Sequence, residues 1–198
     1  MEMTEQTVSD WIKKRQSTFV NGLKEGSTIP DSVIEKLLEN ASWAPSHGLV
    51  QAWNFKVFAG EGVKRFFKAQ QEIYKQITPP DKFFDFKYEA YSEKWKRVSH
   101  IVVVIARRDP YKRFPEQEDL VSVACAIENI YLSLAAFGIG GYLSTGDICY
   151  SNEMRDFLEL EDDDTLMGFF VLGEPDESFQ RPPRTRIAAA DKTEWIRK

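Results

Sequence analysis

Histidine and cysteine are scarce in this chain, with two of each among 198 residues. His47 and His100 form no HxxxH or HExxH pair, and Cys125 and Cys149 form no CxxC. A His-rich metal site and a metallohydrolase are thereby excluded, and no metal is expected. Cysteine spacing offers no disulfide framework or dithiol redox motif, which suits a reducing cytoplasm. No GxSxG occurs, so a nucleophile-elbow hydrolase has no support. Long apolar runs are missing too: the longest, Ile101 to Ala106, has six residues, whereas a membrane helix needs about 20. The start, Met1 to Asp10, is polar and acidic and does not read as a signal peptide. A basic excess is also lacking, with 26 Lys and Arg against 31 Asp and Glu, a net charge of −5 and a pI near 5.2. Lys13-Lys14-Arg15 and Arg181 to Arg186 are too short to track a phosphate backbone, so neither nucleic acid nor a membrane is expected as a partner.

What is present is enough apolar material for one core: 42% apolar and 13% aromatic residues predict a single α/β or α+β domain over 1–198. A first helix is expected to end near Arg15 or Ser17. Pro30 opens a second, whose face is Val33, Ile34, Leu37 and Leu38 and which stops before Pro45. Trp53 to Ala59 alternates as a strand, and Gly62 to Ile77 reads as a helix stopped by Pro79-Pro80. Asp81 to Arg97 reads as a helix carrying Phe83, Phe84, Phe86, Tyr88, Tyr91 and Trp95. Those rings either pack on the core or line a ligand slot. His100 to Arg107 is a buried strand by its β-branched run. Asp119 to Phe137 is too long and apolar for a strand and predicts a central buried helix. A turn at Gly138-Ile139-Gly140-Gly141 leads into a short strand. Ser151 caps a short helix to Leu158, and Leu166 to Leu172 closes the sheet. The polar tail from Asp176 carries Trp195 and Ile196 as an apolar anchor.

The glycine cluster follows a helix and precedes a strand, the reverse of the order that a dinucleotide fold requires. Arg15 and Ser17, at a helix end, could hold a phosphate dianion through a guanidinium fork and a hydroxyl. Arg184 and Arg186 on the tail are the other candidates.

Ala44-Pro45-Ser46-His47-Gly48-Leu49-Val50-Gln51-Ala52-Trp53-Asn54-Phe55 resembles the APSxxNxQPWxF signature of the FMN-dependent nitroreductase family. Arg15-Gln16-Ser17 resembles that family's opening RxS. Gly140 to Gly146 and Leu166 to Pro175 resemble its later strand and closing GxxxLGxP, and the short central region is most similar to its small, minimal branch. The resemblance implies an α+β fold, a mixed sheet sandwiched by helices, in a homodimer that exchanges helices and a C-terminal arm (176–198) and binds FMN at the interface. It places Arg15, Gln16 and Ser17 at the phosphate and ribityl end. Pro45, Ser46 and His47 come from the partner, Leu143, Ser144 and Thr145 run along the isoalloxazine, and Arg184 or Arg186 joins the phosphate. Phe19 stands where many members carry a Lys or Arg, Leu49 replaces the signature Asn, and Ala52 replaces the Pro before Trp.

The implied activity is two-electron transfer from NADH or NADPH to a small acceptor such as a nitroaromatic or quinone, in two half-reactions. Phe83, Phe84, Phe86 and Tyr88 are candidate walls of the acceptor slot. No side chain is required as nucleophile or obligate acid, because the cofactor carries the chemistry. The alternatives are dehalogenation or enoate reduction on the same fold, or flavin storage or sensing without turnover.

Overall fold

The structure, a computed structural model, describes residues 4–198; the reading of the first ten residues extends over Met1–Met3, which lie outside the described residues. Helix α1 (Glu5–Lys14) ends at Lys14, close to the expected Arg15, and starts where Thr4 caps it, accepting from the Thr7 N–H at 3.2 Å while the Thr7 hydroxyl reaches back. Helix α2 (Asp31–Ala41) follows Pro30 and buries Ile34, Leu37 and Ala41, one stripe of a 3.6-residue repeat. Strand β1 (Trp53–Ala59), helix α3 (Glu61–Ile77), helix α4 (Asp85–Lys94), strand β2 (His100–Arg107) and helix α5 (Glu116–Phe137) come next. Strand β3 (Gly140–Ser144), helix α6 (Asn152–Phe157) and strand β4 (Asp164–Gly173) complete the regular elements.

The sheet order is β1-β2-β4-β3, so β3 has a free edge. Pleating divides β2 cleanly. Ile101, Val103 and Ile105 enter one core with Phe66 and Phe67 of α3 and Met154 of α6. Val102, Val104 and Ala106 enter the other with Leu37 of α2 and Val123, Ile130 and Leu134 of α5. Each buried Val or Ile contributes roughly 1.5–3 kcal/mol, and burial on both faces explains why β2 lacks a polar alternation. In β4, Leu166 and Phe169 point into the same core although three residues apart. A β-bulge makes this possible: Val104 pairs with Gly168 and Ile105 with Leu166, leaving Met167 unpaired.

Every strand pairing is antiparallel, which corrects the expected mixed sheet. Strands β2 and β3 do run the same way, joined across the sheet by α5, but β4 inserts between them and is antiparallel to both. Three further expectations change. First, Asp81 to Arg97 is not one helix: α4 is flanked by 3₁₀ turns at Pro80–Lys82 and Trp95–Arg97. Phe83, Tyr88, Tyr91 and Trp95 pack on the core while Phe84 and Phe86 stay exposed. Second, α5 is not buried all round. Its buried stripe runs Asp119, Ser122, Val123, Ala126, Ile130, Leu134, while Val121, Ala124 and Ala135 face outward. It is 22 residues long and contains an 18-residue stretch of mean hydropathy 1.7, long and apolar enough to cross a bilayer; here it packs along β2 and α2. Third, Trp195 and Ile196 anchor nothing within the chain, being 76% and 82% exposed. The tail is held at its base, where the Asp176 N–H donates to the Gly22 carbonyl at 2.9 Å, and again at Arg184, which bonds the carbonyls of Lys13 and Arg15.

Candidate cofactor and substrate site

The chain leaves α1 along the free end of the sheet. The Thr18 N–H donates to the Gly141 carbonyl at 2.9 Å, pinning 15–18 beside β3. The Arg15 guanidinium lies 5.2 Å over the Tyr131 ring, a cation–π contact, and the Tyr131 hydroxyl accepts from the Leu143 N–H at 2.7 Å. Tyr131 therefore joins the two segments assigned to opposite ends of the cofactor. The sequence reading missed it; the one signal was an aromatic hydroxyl in the apolar second half of α5.

Arg15, Arg184 and Arg186 come together with Ile12 and Lys13 around a cavity of about 500 Å³. Arg184 donates to the carbonyls of Lys13 and Arg15, closing the C-terminus of α1 where the helix dipole favours a cation. Arg186 bonds only the carbonyl of Thr185. Among the described residues no carboxylate lies within ion-pair distance of Lys13, Arg15, Arg184 or Arg186. Four cations around one open cavity without a balancing acid suit a phosphate dianion. Gln16 faces a neighbouring cavity of about 230 Å³ with Thr18, Tyr131 and Arg181; Ser17 is half-buried and lines neither cavity.

Ser144 and Thr145 lie at the far end of β3, in a cavity of about 390 Å³ between that strand and α4. Its aromatic walls are Phe67, Tyr74, Phe86, Tyr91, Tyr142 and Phe169. Of the expected wall residues only Phe86 is among them; Phe83 stacks on Tyr74 with ring centres 5.1 Å apart, Tyr88 packs behind Phe83, and Phe84 turns outward. Burial pushes the Tyr91 and Tyr142 hydroxyls above their ordinary pKa, so both stay protonated donors. Gly168 of the bulge, at φ 144°, lies beneath this end of β3: a Cβ there would meet Leu143 side-chain atoms and the Ser144 carbonyl at 3.0 Å. Only glycine serves both the angle and the approach.

Pro45, Ser46 and His47 occupy a third place, a groove of about 490 Å³ shared with Gln117, Glu118, Val121, Ser122 and Cys125. His47 is engaged twice, bonding Glu118 through Nδ1 and resting on Phe114 with ring centres 3.9 Å apart. The Ser46 Oγ accepts from the Gln51 N–H at 2.7 Å, closing a loop in which Gly48, Leu49 and Gln51 all have positive φ. Leu49 is 79% exposed. Phe19 packs against Tyr142 at a tilt of 55°, with ring centres 4.9 Å apart. One chain thus unites Arg15, Gln16 and Ser17 with Leu143, Ser144 and Thr145, and keeps Pro45, Ser46 and His47 apart from them.

These features define an α+β protein with a cluster of cations around one cavity and an aromatic slot at the end of β3. The profile of the nitroreductase family matches residues 12–174, and the chain belongs to that family. It is 27% identical over 163 residues to YdjA of Escherichia coli (strain K12), whose name assigns it provisionally to the NAD(P)H nitroreductases, covering 82% of this chain and 85% of that one. A nitroreductase-like family protein from Bacillus cereus shares the fold with a TM-score of 0.81 at 22% identity, covering 99% of each chain. A structure from Desulfovibrio desulfuricans, provisionally a nitroreductase and solved in complex with FMN, superposes with a TM-score of 0.70 at 19% identity over 96% of each chain.

Proposed function

We propose that this chain is an FMN-dependent NAD(P)H oxidoreductase that delivers two electrons to a small aromatic or quinone acceptor. The observation that carries the reading is the acid-free cavity of Arg15, Arg184 and Arg186, whose Arg15 covers the Tyr131 ring while the Tyr131 hydroxyl accepts from the Leu143 N–H of β3. Similarity to YdjA and to an FMN complex supports the same assignment. When bound, FMN supplies a centre that accepts hydride from a reduced nicotinamide and returns it to an acceptor.

The protein's part is placement. Arg15 and Arg186 pair with the phosphate, while Arg184 holds the end of α1 in position and adds charge. Gln16 and Ser17 bond the ribityl chain. Leu143, Ser144 and Thr145 present backbone groups to the ring, and Tyr91 and Tyr142 keep water from the acceptor slot as neutral donors. Pro45, Ser46 and His47 complete the site from a second copy of the chain. That arrangement gives the outward face of α5, with Val121 and Ala124, and the exposed Ile187, Trp195 and Ile196 a surface to cover. The assembly is a cytoplasmic homodimer of single-domain subunits, with 176–198 as the exchanged arm.

The purified protein is expected to be yellow, or to gain flavin absorbance on adding FMN, and to bleach anaerobically with NADH or NADPH; a protein that stays colourless with added FMN overturns the reading. A second reading, flavin storage or sensing, is favoured by one observation: Phe19, at the position where many family members carry a cation that would stabilise reduced flavin, packs tilted against Tyr142. It predicts bound flavin that stays oxidised for minutes under excess nicotinamide without oxygen.

A further inference from the structure

Six cations in this chain are half-buried: Arg15, Lys56, Lys94, Arg97, Arg108 and Arg155. Four of them are satisfied by oxygen. Lys56 bonds the carbonyl of Leu158 and Arg97 that of Leu23. Arg108 pairs with Asp119 and bonds the Phe114 carbonyl, and Arg155 bonds the carbonyls of Glu161 and Asp164. The remaining two rest on a tyrosine ring alone. Arg15 lies over Tyr131, and the Lys94 Nζ lies 4.0 Å over the Tyr91 ring. Arg15 borders the cavity suited to phosphate, and Lys94 borders the other one, between α4 and the end of β3.

A sheltered ammonium with only a ring for company retains unused donors and a desolvation cost that an anion would offset. Burial also pushes the Lys94 ammonium below its ordinary pKa. Two residues on, Lys96 pairs with Glu93, so an acid is close at hand in sequence but directed elsewhere. Asp147 lines the same cavity, yet neither it nor any other carboxylate among the described residues is within ion-pair distance of Lys94 or of Lys87, the cavity's second lysine. The space of about 390 Å³ suits a single substituted ring, and Tyr74, Phe86, Tyr91 and Tyr142 offer faces and edges on which such a ring can stack.

We propose that the cavity between α4 and the end of β3 binds an aromatic carboxylate, with the carboxylate paired to Lys94 and the ring held among Tyr74, Tyr91 and Tyr142. The proposal rests on the oxidoreductase reading for its meaning, since it makes aromatic acids the preferred acceptors. It names Lys94 as the residue that sets the preference.

The probes are 4-nitrobenzoate and its neutral analogue 4-nitrobenzamide, titrated by calorimetry into the oxidised protein after FMN has been added and its uptake read from the visible spectrum. The wild type is expected to bind the carboxylate at least about tenfold more tightly than the amide, as for one charge-assisted pair. Lys94→Met should bring that ratio close to one, and Lys94→Arg should preserve most of it. A wild-type ratio at or below one overturns the proposal, as does a ratio that Lys94→Met leaves unchanged. Where Lys94→Met fails to fold by circular dichroism, Lys94→Gln carries the same comparison. Failure of the flavin reading shows separately, as absent flavin absorbance or absent reduction by NAD(P)H, whereas the ligand ratio is measured without turnover.

Discussion

Leu49 is held at φ 55°, in the left-handed region, with Gly48 at 56° before it and Gln51 at 52° after. For a side chain with a Cβ this costs roughly 1–2 kcal/mol, because the Cβ crowds the following carbonyl; asparagine tolerates the region and glycine is free in it. The leucine side chain regains nothing within the chain, being 79% exposed. Leu49→Asn should therefore stabilise the fold by about 0.5–1 kcal/mol. Leu49→Gly should stabilise it by a similar or smaller amount, since extra freedom in the unfolded chain takes back about 0.4–1 kcal/mol. In a domain of this size each kcal/mol moves Tm by roughly 2–4 °C, so Asn should raise it by about 1–4 °C. Leu49→Ala separates the causes. It keeps the Cβ and hence the strain, and should leave Tm unchanged. The assay is thermal unfolding by circular dichroism at one fixed protein concentration. If Leu49→Ala raises Tm as much as Leu49→Asn, the exposed apolar side chain was the burden and the backbone argument is wrong. If Asn and Gly both lower Tm, Leu49 is buried against another copy and that contact outweighs the strain.

Asp164 accepts two bonds from Arg107, each at 2.9 Å, and these hold its carboxyl below the usual range. Because its folded pKa is depressed, the stabilisation is complete above the unfolded value near 3.9 and is lost as pH falls through the lower folded one. Asp164→Asn should cost about 2 kcal/mol in urea unfolding at pH 7, where it leaves Arg107 unpaired, and the gap to wild type should narrow only below about pH 4; a gap unchanged down to pH 3 contradicts the pairing. Gly168→Ala should cost about 3 kcal/mol and weaken FMN binding, since its Cβ meets Leu143 and the Ser144 carbonyl at an angle that disfavours side chains; unchanged FMN affinity would detach the bulge from the site. Burial pushes the Cys149 thiol up to about 12, so a Cys125→Ala protein should show no thiol reaction with a disulfide reagent at pH 8 until unfolded, and a fast native reaction refutes the burial. Phe19→Lys should raise the flavin reduction potential by about 30 mV, the equivalent of about 1.4 kcal/mol for two electrons, measured by dye equilibration; an unmoved potential means the position does not face the pyrimidine edge.

Local chemistry made much of the fold legible. Pro30, Gly60, Pro79 with Pro80, and Gly138 each stop or start an element in the sequence, and in the structure Gly138 takes φ 66° to end α5. The features that escaped are those decided by distant packing. Nothing in Leu166 to Leu172 announces the bulge, because an added residue shifts facing without changing composition. The apolar content of α5 could not distinguish a face turned to the sheet from a face turned outward, since both read as hydrophobic. The aromatic segment looked like one amphipathic helix; its rings divide between core and cavity because turns at both ends change direction. Of the residues proposed for the site, Arg15, Ser144 and Thr145 were suggested by motifs, whereas Tyr131 and Lys94 were not, their places being set by which strand end each helix meets.

The site's charge is concentrated at one end. Lys13, Arg15, Arg184 and Arg186 surround the cavity suited to phosphate, while Phe19, which the proposed site places at the ring where a cation would act, pairs with Tyr142. Cations on a phosphate strengthen binding in either oxidation state, since the phosphate charge does not change on reduction. Only charge close to the ring distinguishes a reduced anion from an oxidised neutral form, and its influence falls with distance and solvent screening. In the proposed site, affinity and potential are therefore expected to be set by different residues: the arginine cluster would retain the cofactor, and Phe19 would leave its reduced form less stabilised. A reduced cofactor of that kind is a stronger donor to an acceptor and a more reluctant recipient from a nicotinamide. The balance favours acceptors that bind well on their own account, and an aromatic slot with an unpaired lysine supplies such binding.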